Sequence, residues 1–204
     1  MKYKKLGKLP IDTIEFFKFE LLKRKIDRNY QWIQFDKYLN DKFNEIFSNT
    51  DLEIQFDPDK NRFIQKAFYS NSGYGYKIHK DGVQCKSALN IVISCNDSDW
   101  VRWYDDSVIN NFTNSKIKET HYNIGSSRDC NILEYENVPF IEELRNEVGD
   151  VYILDVDTFH SFKCNGPKPR IVIQTKFRGY PTINDIHETL SENSFNNIIT
   201  DNIS

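Results

Sequence analysis

No run of residues in this sequence approaches the uninterrupted apolar length that a membrane span requires. The start, Met1-Lys-Tyr-Lys-Lys-Leu-Gly-Lys-Leu-Pro10, carries positive charge with no apolar stretch behind it, so it does not read as a secretion signal. A soluble, intracellular and therefore cytoplasmic protein is the expectation. Also missing is any Cys-x-x-Cys pair. Cys85, Cys95, Cys130 and Cys164 are scattered, which speaks against a zinc knuckle or a redox dithiol and for reduced thiols. One-sided charge is absent too: 27 Lys and Arg stand against 30 Asp and Glu, interspersed, for a formal charge of −3. No positive field exists to collect a phosphate backbone, and general nucleic-acid binding is disfavoured. The local cluster Lys23-Arg24-Lys25 with Arg28 reads as the solvated face of a helix. There is no Gly-x-Ser-x-Gly element, no Ser-His-Asp or Cys-His arrangement and no phosphate-cradling glycine loop, so hydrolase and nucleotide-binding classes lose support. Ala and Gly are scarce beside abundant Asn, Ile and Lys, a bias of the coding genome with no functional reading.

What is present is a 14% aromatic fraction and enough Ile, Val and Leu to close a core over 204 residues. No internal repeat and no linker-like break divides the chain, so a single domain spanning 1–204 is expected. Ile14, Phe17 and Leu21 fall at helical spacing within 11–25, and Leu39, Phe43, Ile46 and Phe47 within 37–48. Residues 1–50 are therefore expected to form an N-terminal helical support. From Leu52 the pattern changes to short β-branched and aromatic runs separated by Asp-Pro-Asp, Asn-Ser-Gly, Asp-Gly and Gly-Pro punctuation. Strands are predicted at 52–57, 62–69, 74–81, 87–95, 100–104, 130–136, 150–164 (bent or divided) and 170–178. Many short strands without crossover helices imply a mainly β fold with flanking α-helices, in the form of a sandwich, barrel or jelly roll over 52–178. After Pro181, Ile183, Ile186 and Leu190 can line a short helix, and 179–204 ends in a polar, frayed tail.

The segment Tyr74-Gly-Tyr-Lys-Ile-His-Lys-Asp-Gly82 places His79 and Asp81 two residues apart in a strand that ends in a turn. Strand periodicity puts both side chains on one face, where an imidazole and a carboxylate can chelate a divalent cation together. By itself His-x-Asp is short enough to be a surface ion pair or a structural histidine. A second segment adds to it: His160 lies late in an extended run, Gly-Pro-Lys-Pro at 166–169 breaks the chain, and Arg170 opens the next strand. Two histidines and one carboxylate make a facial triad that leaves three octahedral positions open. A 2-oxo acid can fill two of these and dioxygen the third, and the far carboxylate of that acid then needs a fixed, forked cation such as Arg170.

In the order His79-x-Asp81, long interval, His160, Arg170, the sequence resembles the 2-oxoglutarate and Fe(II)-dependent oxygenase superfamily. It looks most similar to the prolyl-hydroxylase-like and small viral or bacterial branches, over roughly residues 62–178. The resemblance implies a double-stranded β-helix, a cupin-like jelly roll of about eight strands, with the first motif near its second strand, the distal histidine on its seventh and the arginine opening its eighth. It implies Fe(II) held by His79, Asp81 and His160 as metal and catalytic residues, and 2-oxoglutarate anchored by Arg170. It also implies dioxygen and a primary substrate as partners, with hydroxylation as the default outcome. Gly149-Asp150 and Arg170-Ile-Val-Ile-Gln-Thr-Lys-Phe177 look like the family's late segments. One departure is Val172, which stands where many relatives have a hydroxyl residue beside the arginine. The helper must come from elsewhere, and two polar residues are candidates for cofactor binding. Gln174 shares a face with Arg170 by alternation, and Asn90 interrupts the apolar strand Ala88-Leu-Asn-Ile-Val-Ile-Ser94.

Among the remaining residues, Trp103 is read as core, while Tyr104 is a candidate for the substrate pocket. Tyr76 has the opposite strand parity from His79 and should point away from the metal; Tyr69 and Tyr74 receive no role. His121, in the polar stretch Thr120-His-Tyr-Asn-Ile-Gly-Ser-Ser-Arg128, ranks below the chosen imidazoles because no carboxylate accompanies it, and His187 ranks lower still. The principal alternative is a cupin-like metal-binding protein or isomerase without oxygenase turnover, which would not need Arg170 opposite the site. A non-catalytic interaction domain with structural histidines is a second.

Overall fold

Alternating apolar and polar positions in the strands, and apolar stripes on the helices, sort this chain into two antiparallel sheets with helices outside them. The computed structural model describes residues 1–47, 65–81, 85–112, 117–122, 125–130, 138–177 and 181–189. In chain order the elements are β1 (Tyr3–Lys8), α1 (Ile11–Leu22), β2 (Tyr30–Gln34), α2 (Lys37–Phe47), β3 (Lys66–Ser70), β4 (Gly75–Lys80), β5 (Ser87–Ser94) and β6 (Trp100–Trp103). They continue with α3 (Asp106–Phe112), β7 (Ile117–Tyr122), β8 (Gly125–Cys130), β9 (Glu142–Arg145), β10 (Asp150–Asp155), β11 (His160–Lys163), β12 (Arg170–Lys176) and α4 (Ile183–Thr189). The first sheet runs β1-β10-β5-β12-β3-β2 and the second β7-β8-β4-β11-β6-β9. This is the jelly-roll, double-stranded β-helix architecture, in which the chain alternates between the two sheets over β3 to β6 and again over β9 to β12.

Each face of the first sheet has its own core. Outward, Leu89, Ile91 and Ile93 of β5, Val151 and Ile153 of β10 and Ile171 and Ile173 of β12 meet Ile14, Phe17 and Leu21 of α1, Leu39 and Phe43 of α2, and Ile183 and Ile186 of α4. Burying one such side chain stabilises by about 1.5–3 kcal/mol, so this layer is a principal source of the fold's stability. Inward, Ala88, Val92, Tyr152 and Leu154 meet Val101, Trp103 and Leu144 of the second sheet. A third cluster, Ile78, Tyr104, Ile109, Val138 and Phe159, covers the outer side of the second sheet beneath α3.

Two turns position the late strands. Gly149 has φ +89, a left-handed conformation that disfavours a side chain, and its N–H donates to Val92 O at 2.8 Å, which aligns the start of β10 beside β5. Gly166 lies so close to Asn96 that a Cβ there would fall 2.2 Å from the amide carbon. That contact lets Asn96 clamp the loop before Arg170, donating to Lys168 O at 2.8 Å and accepting from Lys168 N at 3.0 Å.

Several expectations change in detail. Residues 1–50 are not helical support alone, because β1 and β2 close opposite edges of the first sheet. The polar stretch around His121, which reads from the sequence as a loop, contributes to the paired strands β7 and β8. The run 150–164 divides, sending β10 to the first sheet and β11 to the second. The predicted strand 52–57, most of 130–136 and the tail from 190 lie outside the described residues. Among the described residues no helix is long and apolar enough to cross a membrane.

Candidate metal centre

His79 and His160 are directly opposed partners on the adjacent strands β4 and β11. Their ring centroids lie 4.3 Å apart. Asp81 follows β4, its N–H donating to Val156 O at 3.0 Å, and this bond turns the chain so that the carboxylate returns to the imidazoles. His79 Nε2 stands 3.6 Å from Asp81 Oδ1, and ligand atoms of all three residues lie within 4.8 Å of one another. Cis donors on a metal with bonds of about 2.1 Å stand about 3 Å apart, so small side-chain rotations bring this set onto one ion.

Each imidazole is oriented by its own strand. His79 Nδ1 lies 2.9 Å from Lys77 O, and His160 Nδ1 lies 2.9 Å from Thr158 O. A carbonyl can only accept, so both Nδ1 atoms carry the proton and both Nε2 lone pairs are left for a ligand. Burial alone would raise the Asp81 pKa, but Lys176, His160, His79 and Lys66 outweigh it and hold the carboxyl below its ordinary range. The ionised form needed for coordination is therefore favoured. Nearby Cys85 is pushed up to about 12, chiefly by burial and then by Asp81, which keeps it a thiol.

The parity argument for Tyr76 fails at a β-bulge. His160 pairs with His79 while Phe162 pairs with Tyr76, so β4 carries one residue more than β11 across this interval. The extra residue lets Ile78 pack outward, and Tyr76 and His79 meet edge to face at 4.7 Å. From Tyr76 an aromatic wall continues to Phe162 (6.1 Å), Tyr30 (5.2 Å) and Tyr74, which is stacked on Tyr30 at 5.2 Å.

Arg170 stands at the far end of that wall. It is buried, with its guanidinium carbon 4.8 Å from the Phe162 centroid. Burial draws its pKa down from the ordinary value, opposed by Asp99, Cys95 and Tyr30, yet an arginine stays charged. Among the described residues its Nε has no hydrogen-bond partner, and neither has the buried hydroxyl of Ser70, its cross-strand neighbour on β3. Tyr30 pairs with the other side of Ser70, and burial raises its phenol well above the ordinary range. A buried guanidinium nitrogen and hydroxyl left without acceptors or donors are costly unless an anionic ligand receives them.

Asn90 and Gln174 do face the interior, directly opposite each other on β5 and β12, and Asn90 Oδ1 lacks a partner. They lie four residues from Arg170, about 13 Å along the strand. Alternation put them on the right face but not beside the guanidinium; Ser70 and Tyr30 hold those places. Ser70 falls one residue past the expected strand 62–69, and the alternation Tyr30, Trp32, Gln34 against Gln31, Ile33, Phe35 was the available signal for β2. Tyr104 is corrected outright as a pocket residue. It is fully buried in the cluster outside the second sheet, sharing a 2.7 Å hydrogen bond with Ser161. Trp103 is core as expected, its Nε1 donating to Asp155 O at 2.7 Å. Tyr69 packs toward the helices, and His187 is exposed on α4. The side chain of His121 lies outside the described set.

Solved structures of similar fold include HygX from Streptomyces hygroscopicus with nickel and 2-oxoglutarate bound, which aligns at a TM-score of 0.60 with 10% identity over 86% of this chain and 82% of that one. The epimerase SnoN, in complex with Fe3+, alpha ketoglutarate and nogalamycin RO, aligns at 0.53 with 10% identity over 86% and 78%. At such identity the likeness is one of fold, and this chain shares the double-stranded β-helix of both. The sequence matches no family model and no curated protein.

Proposed function

We propose that this protein is a non-haem Fe(II) and 2-oxoglutarate-dependent dioxygenase that hydroxylates a C–H bond of its primary substrate. The balanced reaction consumes substrate, 2-oxoglutarate and dioxygen and yields hydroxylated substrate, succinate and carbon dioxide. One observation carries the reading: the buried Arg170, with an unpartnered Nε, lines the same aromatic-walled interior as three metal-ligating side chains. A cupin-like metal protein or isomerase has no use for that guanidinium.

His79, Asp81 and His160 would hold iron, and the carbonyls of Lys77 and Thr158 keep both imidazoles turned toward it. Arg170 would receive the remote carboxylate of 2-oxoglutarate, with Ser70 and Tyr30 beside it as hydrogen-bond donors. Asn90 and Gln174 would offer amides to the bound co-substrate along its length rather than at its anchor. When bound, iron and the oxo acid supply dioxygen activation coupled to decarboxylation. Tyr30, Tyr76 and Phe162 enclose the space between and exclude water from it.

Anaerobic addition of Fe(II) and 2-oxoglutarate should give the weak visible charge-transfer band of an oxo acid chelated to iron, at one equivalent of each. Succinate should then appear on admitting air, slowly without primary substrate. Iron binding with no such band and no succinate would sink the oxygenase reading in favour of the cupin-like one.

A further inference from the structure

The mouth of the roll carries a lysine that the oxygenase reading leaves unused. Lys66 opens β3 on the inward face, opposite Gln174, and Lys176 ends β12 two positions further along the same face. Diagonal neighbours of this kind are about 7–8 Å apart between strands, within common reach of two long side chains. Lys176 Nζ lies 3.9 Å from Asp81 Oδ2. Lys66 has no carboxylate at ion-pair distance among the described residues. Its ammonium lies 4.6 Å from the ring centroid of Trp32 and 5.7 Å from that of Phe68. Trp32 is 65% exposed, which identifies this end of the interior as the side open to solvent.

Charge counting then decides what the mouth will accept. Among the described residues, the ammonium groups of Lys66 and Lys176 stand near one carboxylate, Asp81, and that carboxylate is the proposed metal ligand. A divalent cation and a dianionic co-substrate cancel each other, so loading the site supplies no counter-charge to Lys66, which has none at ion-pair distance among the described residues. Burial and the like charge of Lys176 both work against its protonated form, and only Asp81 and Cys85 act in its favour. An ammonium in that position is relieved by an incoming anion.

We propose that Lys66, with Lys176 beside it, forms an anion-binding subsite at the mouth, and that the primary substrate presents a carboxylate or phosphate to it while its reacting carbon faces the metal. The word substrate rests on the oxygenase reading; the anion subsite does not. Cationic molecules are disfavoured, and Trp32 lies beside the Lys66 ammonium, where its ring senses an arriving anion.

The test titrates methyl phosphate and, separately, acetate into the anaerobic Fe(II) and 2-oxoglutarate complex of the full chain, with sodium chloride as the ionic-strength reference. Fluorescence of Trp32 reports binding, and its loss in Trp32→Phe assigns the signal, since Trp100 and Trp103 are buried. A saturable change is expected, weakened about tenfold by Lys66→Gln, as for loss of one charge-assisted hydrogen bond, and retained by Lys66→Arg. Tighter binding of methyl phosphate than acetate names a phosphate, and the reverse names a carboxylate. No saturation beyond chloride, or equal affinity in Lys66→Gln, overturns the subsite. A parallel loss of 2-oxoglutarate affinity in Lys66→Gln overturns it too, by giving the lysine to the co-substrate. If the wild-type chain binds the anions through Lys66 but does not bind 2-oxoglutarate, the oxygenase reading falls and the subsite stands.

Discussion

The two faces of β12 obey different rules. Outward, Ile171 and Ile173 are buried in a continuous apolar layer with α1, α2 and α4. Inward, the same strand presents Arg170, Val172, Gln174 and Lys176, and its neighbours add Ser70, Asn90 and Lys66. Among the described residues, three buried polar atoms on that inner face lack a hydrogen-bond partner, Arg170 Nε, Ser70 Oγ and Asn90 Oδ1, against Asn40 Oδ1 alone on the helices of the outer layer. A fold stabilised from inside would not tolerate them, because each costs stability when left unsatisfied. The helices outside hold the roll closed, and that leaves the interior available for ligands.

The sharpest test of this division is His160→Ala, an inner-face change that should abolish stoichiometric iron binding and the visible band while the thermal midpoint of the metal-free protein stays nearly constant. A large fall in that midpoint would mean the interior is load-sharing after all. Next comes Ile173→Ala on the opposite face. It should cost about 2–5 kcal/mol in denaturant unfolding, the range for emptying a packed core position, and leave iron and 2-oxoglutarate affinities of the folded protein unchanged. Arg170→Met should weaken 2-oxoglutarate about a hundredfold by equilibrium titration, equivalent to about 2.7 kcal/mol, with iron still bound. Its stability should hold or rise, since the change removes a buried cation that is only partly satisfied, and Asp99 keeps donors in Asn96 N and Asn165 N. Unchanged 2-oxoglutarate affinity would remove Arg170 from the site.

The outer face was legible from the sequence because packing writes periodicity. Ile14, Phe17 and Leu21 repeat with a helix, Leu39 and Phe43 do so again, and the β-branched runs of β5 and β12 mark central strands. His79, Asp81, His160 and Arg170 were legible for another reason: chemistry restricts which residue types can stand together, and their spacing in the chain preserves that restriction. What stayed hidden depended on register. A single extra residue in β4 turned Tyr76 toward the metal site, and nothing in its sequence announces the bulge. The neighbours of Arg170 come from β3 and β2, and pairing across strands decides that Ser70 and Tyr30, not Gln174, lie beside it. Tyr104 looked like a pocket residue because a large aromatic next to a strand end reads the same whether it turns inward or outward.

The smallest effect is expected where the two faces are joined, at Asp155, which ends β10 before the turn into β11. Its carboxylate accepts Lys2 Nζ at 2.9 Å, Thr158 Oγ1 at 2.7 Å and Thr158 N at 3.1 Å, and Thr158 O in turn receives His160 Nδ1. Burial alone would raise the Asp155 pKa, but the bonds from Lys2 and Thr158 outweigh it and hold it below the ordinary 3.8. A depressed folded-state pKa stabilises fully above the unfolded value, and that contribution is lost as pH falls through the lowered one. Asp155→Asn should therefore cost about 1–2 kcal/mol near pH 7, a cost that shrinks as pH falls through the lowered pKa, read from denaturant unfolding of the metal-free protein. Because Thr158 also fixes the tautomer of His160, the same change should weaken iron binding about tenfold, the low end of the effect of losing an outer hydrogen bond to a metal ligand. A stability loss with no change in iron affinity would show that the turn supports the fold without orienting the imidazole.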